Sequence, residues 1–489
     1  MSSAALLILA LTLPVAGILL IVVGGGRQAR GISLAVLVGN FAVAVGIGGA
    51  VCRAGQAVTY SSGGWAAPLG IQLRADGLSV VMLITAALVA LAVGVYAPNE
   101  FAVRRGDVET RRSLAFWSLL LAVGCAMNAI FLGNDFFNLY VALELLTFAA
   151  VPLVCLTGTR ATLEAALRYL LFALTGSALY LLGVALLYGN YGTLDITKLS
   201  GLVRHEPGMP LWVTVALMTS GLAAKTALFP LHLWLPPAHG GAPPSASALL
   251  SALVVKGSFF LTVRLWFDTV PGLAGMGMGQ LLGAMGAGAI VVGGVLALKQ
   301  ERLKLLIAYS TVAQIGYLFL MFPLAGHVGA LSGGMLQAVA HAFAKASMFL
   351  GAGLMAEVAG SDRLDGLRGM GRTLPLTSCA FVLAALSLVG VPPTGGFMAK
   401  WQLLSAAFSA GQWWWVVVIL CGGLLAGGYM FRAVRPTLVE GIQPAAAIPR
   451  LREWVVLALA VCALLLGGFS KKVLELLDIG RPQITEMRP

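Results

Sequence analysis

Long apolar runs separated by short polar breaks fill nearly the whole chain. A bilayer core takes about 20 apolar residues per helix. Runs of that length predict spans at 4–23, 32–52, 77–96, 113–132, 136–157, 165–188, 209–230, 245–266, 278–298, 304–323, 329–356, 374–393 continuing to 409, 413–433 and 454–470. The pattern is that of an all-α polytopic membrane protein with about 14 transmembrane helices.

Two of these spans are interrupted. Lys225 is followed by LFPLHLWLPPAHGGAPP, which carries Pro230, Pro236-Pro237 and Pro243-Pro244, and Pro392-Pro393, Gly395 and Gly396 precede Lys400. Proline frees backbone groups that hydrocarbon cannot satisfy, so such breaks survive only beside protein or water. Broken helices in corresponding parts of two halves mark repeat-built transporters. Here they fall in the seventh and twelfth spans, five apart, and an odd repeat length reverses topology. Two inverted five-helix repeats are therefore expected, spans 4–8 and 9–13. The implied division is 1–112 for the first three helices, 113–266 and 267–433 for the repeats, and 434–489 for the last helix and tail.

The first apolar run has no charge before it, and Arg27 comes after it, which predicts a retained helix with the N-terminus outside. In that orientation 17 of the 31 Lys and Arg residues lie in cytoplasmic loops or at the span ends beside them, against 9 on the outside counted the same way, among them Arg204 and Arg488. The bias has the sign of the positive-inside rule. Arg outnumbers Lys 22 to 9, which points to a bacterial source and thus to the cytoplasmic (inner) membrane.

Composition agrees. Apolar residues are 59% and charged residues 10%, against about 45–50% and about 25% in soluble proteins. Such a chain can neither coat a water-soluble globule nor stay disordered. The net charge of +12 is explained by loop residues, and without a basic run interleaved with aromatics nucleic acid is not an expected partner. Six scattered cysteines form no CxxC and lie near no His at metal spacing, so neither a disulfide framework nor a metal is expected. No nucleotide, haem or iron–sulfur signature is present, so no cofactor is expected. No soluble domain fits between the spans, so any redox or catalytic domain must belong to a partner.

The informative residues are the expensive ones. An ionisable group at a helix centre costs roughly 2.5–3.5 kcal/mol on insertion scales, so it needs a partner or a task. Glu144, Lys225, Lys256, His341, Lys345 and Lys400 all lie within predicted spans. One carboxylate cannot neutralise four ammonium groups. Burial disfavours the charged form of a lysine, which makes it able to exchange protons. His341 and Lys345, at i and i+4, share one helical face. His232 and His239 lie at and beyond the proline break, where an ordinary hydrogen-bonded loop histidine explains them as well as function does. Asp135 stands where a helix starts, which suits capping as much as chemistry. Arg168 is close enough to a helix end to snorkel.

DFFNLYVALELL around Glu144, AAKTALFPLHLWLPPAH around Lys225 and SASALLSALVVKGSFFL around Lys256 run in order with LKLLIAYSTVAQIGY, HAFAKASMFL and SLVGVPPTGGFMAKW. In these segments, over roughly residues 70–435, the chain resembles the antiporter-like membrane subunits shared by complex I, membrane-bound hydrogenases and Mrp-type cation/proton antiporters. DFFNLYVALE and PPTGGFMAKW are most similar to the D-type component of Mrp antiporters. The resemblance implies fourteen helices, two inverted repeats and a central polar axis parallel to the membrane. It implies that Glu144 and Lys225 are an interacting pair whose separation changes the lysine's hold on its proton. Lys256 would be the middle relay, His341 would sit between two half-channels, and Lys400 would exchange protons with one side. Lys345 joins the set from its shared face with His341. His232, His239 and Asp135 are accessory candidates. The function implied is proton translocation in a hetero-oligomeric membrane complex, a monovalent cation (Na+)/H+ antiporter first. The alternative is a hydrogenase-type or NADH-quinone oxidoreductase-type redox complex. Expected partners are other membrane subunits, protons, the lipid bilayer and, as a further candidate, sodium.

Overall fold

The computed structural model describes residues 2–101, 111–203, 209–271, 277–441 and 448–481. Arg204 and Arg488, used above for orientation, lie outside the described residues.

Each of the fourteen predicted stretches coincides with helix. In chain order these are α1 Ser3–Gly24, α2 Gly26–Ala54, α3 Gly77–Tyr96, α4 Arg111–Leu132, α5 Phe136–Val154 and α6 Arg160–Tyr191. A short α7, Ile196–Val203, precedes α8 Met209–Thr226 and α9 Leu235–Gly240. Then follow α10 Pro244–Thr269, α11 Gly277–Lys299, α12 Leu303–Phe319 and α13 Ala330–Ala359. The chain ends with α14 Pro375–Val389, α15 Gly395–Ser409, α16 Trp413–Leu438, α17 Arg450–Gly468 and the short α18 Ser470–Leu477. Among the described residues, eleven of these helices are long and apolar enough to cross a bilayer, and α12 and α14 are shorter apolar helices. The chain is a helical, multi-pass membrane protein.

Helix boundaries follow local chemistry. Asp76 accepts from the Ser79 amide at the start of α3, and Thr159 and Thr394 cap α6 and α15 in the same way. Gly55, Gly192 and Gly390 end α2, α6 and α14 in left-handed conformation. A hairpin absent from the sequence reading, β1 Val58–Ser61 and β2 Gln72–Ala75, pairs antiparallel with Val58 opposite Ala75.

Apolar burial does not separate helix from lipid, so packing rests on close backbone approach at small residues. A Cβ on Gly221 of α8 would meet the Gly176 carbonyl oxygen of α6 at 2.3 Å, and one on Gly316 of α12 would meet that of Gly286 on α11 at 2.3 Å. The apolar stretches of α10 and α13 are buried throughout. These two central helices carry Lys256, His341 and Lys345.

Both expected interruptions occur. The seventh span stops at Thr226, earlier than the predicted residue 230, and helix resumes at Leu235. The twelfth divides into α14 and α15 around Gly390–Thr394, at the break expected from Pro392-Pro393. The prolines account for the break, because they supply no amide to continue the helix.

Candidate functional site

Glu144 faces α8 from the middle of α5 and accepts a hydrogen bond from Lys225 Nζ at 3.0 Å. The two side chains are 15% and 7% exposed. Ser177 of α6 also donates to Glu144, and Lys225 donates to Thr147 Oγ1 at 2.9 Å, one turn beyond Glu144. The ammonium therefore has a carboxylate and a hydroxyl as alternative acceptors on one helix. A small cavity adjoins it, lined among others by Leu146, Thr147, Tyr169 and Ser258. Ser258, from α10, shares a 2.9 Å hydrogen bond with Thr226, the residue after Lys225.

Lys256 is fully buried on α10, directly after a widened π turn at Leu250–Val254. Such turns inside α-helices often mark functional positions. Its amine donates to the Ser251 carbonyl and pairs with His341 Nδ1 of α13. His341 Nε2 has no partner among the described residues. Lys345, one turn along α13, donates to the Ile307 carbonyl of α12 at 3.0 Å and to Ser310.

Lys400 of α15 turns back onto the end of α14, donating to the carbonyls of Leu388 and Val389, each at 2.8 Å. Those carbonyls form the negative end of the helix dipole, a favourable place for a cation. The ammonium also lies 4.3 Å from the centroid of the Tyr317 ring. Gly390 is needed here twice over: its φ is +91°, and a Cβ would meet Lys400 Cδ at 2.9 Å.

Gln337 and Gln314 connect α13 to Lys400. Gln337 donates to Gln314 Oε1 at 2.8 Å, and Gln314 donates at 3.0 Å to the Leu388 carbonyl that also accepts from Lys400. Both amides are buried. The sequence reading missed them because a neutral amide barely interrupts an apolar run. The legible signal was spacing, since Gln337, His341 and Lys345 recur every four residues on one face. Thr147, Ser310 and Tyr317 were missed too, and nothing local to the sequence distinguishes them from ordinary helix residues.

The structure thus brings Glu144 together with Lys225, and Lys256 with His341. It sets Lys345 one turn from His341 and joins Lys400 to the same helix through two glutamines. Among the described residues, only Lys225 of the four lysines has a carboxylate partner; Lys256, Lys345 and Lys400 are held by neutral acceptors. Asp135 accepts from the Phe137 and Asn138 amides at 3.0 and 2.9 Å, which makes it the cap of α5. His232 and His239 are both buried, and neither is a fully hydrogen-bonded loop histidine. His232 Nδ1 and both ring nitrogens of His239 lack partners among the described residues.

The NADH:quinone oxidoreductase/Mrp antiporter transmembrane family matches residues 133–426, a stretch that contains every residue of this axis. The chain is 35% identical over 417 residues to the N-type component of NADH-quinone oxidoreductase from Desulforudis audaxviator, covering 84% of this chain and 82% of that one. It is 30% identical over 362 residues to the D-type component of the Na(+)/H(+) antiporter from Bacillus subtilis, covering 72% and 70%. Among solved structures, a chain of the Mrp complex from Dietzia sp. DQ12-45-1b superimposes with a TM-score of 0.89 over 99% of both chains at 24% identity, a likeness of fold. A chain of respiratory complex I from Thermus thermophilus superimposes with a TM-score of 0.75 at 26% identity, over 97% of this chain and 98% of that one. With its polar axis inside the matched region and most of its length shared with both kinds of relative, the chain belongs to the NADH:quinone oxidoreductase/Mrp antiporter transmembrane family.

Proposed function

We propose that this chain translocates protons within a multi-subunit membrane complex, along the axis Glu144, Lys225, Lys256, His341, Lys345 and Lys400. The observation that carries the reading is the asymmetry among the lysines. One holds a carboxylate, while three are buried against neutral acceptors, where a fixed charge would be costly and an exchangeable proton is not. When Glu144 moves away, Lys225 loses its counter-ion and passes its proton by way of Ser258 and water to Lys256. His341 carries it across the centre, and Lys400 releases it.

The helices form two inverted five-helix repeats over residues 113–266 and 267–433, flanked by segments 1–112 and 434–489, with about 14 spans in all. The N-terminus lies outside, the membrane is a bacterial cytoplasmic one, and other membrane subunits are the partners. The Na(+)/H(+) antiporter relatives support an ion-gradient-driven monovalent cation/proton antiporter, sodium being the cation. The 35% identity to a component of NADH-quinone oxidoreductase favours a second reading, in which electron transfer in a partner drives the same axis. Mass spectrometry of the complex purified in mild detergent separates the two: small hydrophobic partners support the antiporter, iron–sulfur or nickel–iron subunits the redox complex.

The test of translocation is replacement of Glu144 or Lys225 by Ala. Each variant should assemble and lose coupled transport in proteoliposomes. Wild-type transport by correctly assembled variants would overturn the proposal.

A further inference from the structure

Outside the axis, the least satisfied polar groups among the described residues include Glu100 and His239. Glu100 follows α3 and its carboxylate is buried. Oε2 accepts from the Ser245 amide at 3.3 Å and the Ser245 hydroxyl at 2.5 Å, at the start of α10, while Oε1 has no partner among the described residues. His239, at the end of α9, is fully buried with both ring nitrogens unpartnered. Buried polar groups of this kind are normally satisfied by ordered water.

The two are linked by the turn between α9 and α10. Lys304 Nζ of α12 donates to the Ala242 carbonyl at 3.1 Å, and Arg302 donates to that of Gly240 at 3.2 Å, which fixes the turn that carries His239 at one end and Ser245 at the other. The His239 ring stacks on Phe349 of α13, with centroids 4.6 Å apart. Phe349 continues the four-residue stripe of Gln337, His341 and Lys345, so His239 lies against the same face one turn beyond Lys345. On α12, Lys304, Ile307 and Thr311 make the parallel face, and Ile307 supplies the carbonyl that holds Lys345.

We propose that Glu100 and His239 form a hydrated proton branch that joins the lysine axis at Lys345 from the end of the bundle where α3 finishes and α10 and α12 begin. Glu100 binds a proton at Oε1 and gives it to water; His239 takes a proton at one ring nitrogen and releases one from the other toward Lys345. Glu100 returns to its starting state, and His239 is left neutral in its other tautomer, which a ring flip or proton exchange with water resets, so no net charge is left behind. Burial pushes the Glu100 carboxyl up, against the lowering effect of the Ser245 hydrogen bonds and of Lys304 and Arg452, the charged groups that face it. A carboxyl held this way takes up protons closer to neutral pH than an exposed one. The inference rests on the translocation reading above.

The experiment measures proton transport by the assembled complex in proteoliposomes, varying pH on each side separately, for Glu100→Gln, Glu100→Asp, His239→Gln and Lys225→Ala. Glu100→Gln and His239→Gln should slow transport about tenfold, and Glu100→Asp should recover most of it. Acidifying the Glu100 side should restore the Glu100→Gln rate, and acidifying the opposite side should not, a side-specific response that a packing defect would not give. Wild-type rates in Glu100→Gln or His239→Gln with Lys225→Ala inactive would overturn the branch and leave the axis standing. A fully active Lys225→Ala would overturn the axis itself. Should Glu100→Gln fail to assemble, His239→Gln alone decides, because its ring nitrogens have no protein partner among the described residues.

Discussion

At the residue scale, the proposed axis is a series of buried ionisable side chains joined by neutral hydrogen bonds. Gln314 stands between Gln337 and the carbonyl that holds Lys400. Replacing it by Leu should slow transport about tenfold with assembly intact, and a proteoliposome assay of the purified complex checks it. Of this arrangement, the ionisable members were legible in the sequence because a charge inside an apolar run is too costly to be incidental. The glutamines and hydroxyls were not, because each alone is tolerable in a helix and acquires meaning only from the neighbour it meets. The Lys256–His341 contact spans 85 positions of sequence, a pairing that no local pattern encodes. Asp135 stands where a cap or a proton site would suit, and its oxygen caps α5.

At the element scale, the breaks and the close crossings position the lysines. Gly221 lies one turn before Lys225, and a Cβ on Gly176 would also meet Lys225 Cγ at 3.3 Å. Gly221→Ala should therefore cost about 1–3 kcal/mol by overpacking and also push Lys225 away from Glu144. The measurement is the thermal midpoint of the complex in detergent together with its transport rate, and both should fall. The interruptions were readable because proline announces itself, whereas the point at which each helix stops was not. Thr226 ends α8 four residues before Pro230, a boundary set by how the following loop packs beneath Trp234, whose indole donates to the Ala224 carbonyl at 2.9 Å. The β-hairpin between α2 and α3 was likewise invisible, since two four-residue strands carry little periodic signal.

At the scale of the whole molecule, a buried ionic cluster ties the start of α3, the end of α10 and the segment after α18 together. Arg264 of α10 donates to Asp76 at 2.6 and 2.7 Å and to Asp268 at 2.6 Å, and Arg481 donates to Asp268 at 3.0 Å. Arg264→Ala would leave Asp76 with only Arg74 and Asp268 with only Arg481 as neighbouring cations among the described residues and should cost about 3 kcal/mol, read as a lowered thermal midpoint. Burial alone would raise the Asp76 carboxyl, but Arg264 and Arg74 beside it outweigh burial and hold it well below the usual carboxylate range. A depressed carboxyl contributes stability that is present above its ordinary value and lost only as pH falls through the folded value. The contribution of Asp76 should thus persist down to about pH 4, and the thermal midpoint of the Asp76→Asn variant should lie below wild type across that range.

On the proposed reading, protons cross from one half of the molecule to the other through Lys256, which follows the Leu250–Val254 turn of α10 and pairs with His341 of α13. The most direct test is proton transport by the complex carrying Lys256→Met, which keeps the side-chain bulk and removes the exchangeable proton. The expected result is an assembled complex whose transport falls to the level of empty vesicles. Transport at the wild-type rate would contradict it.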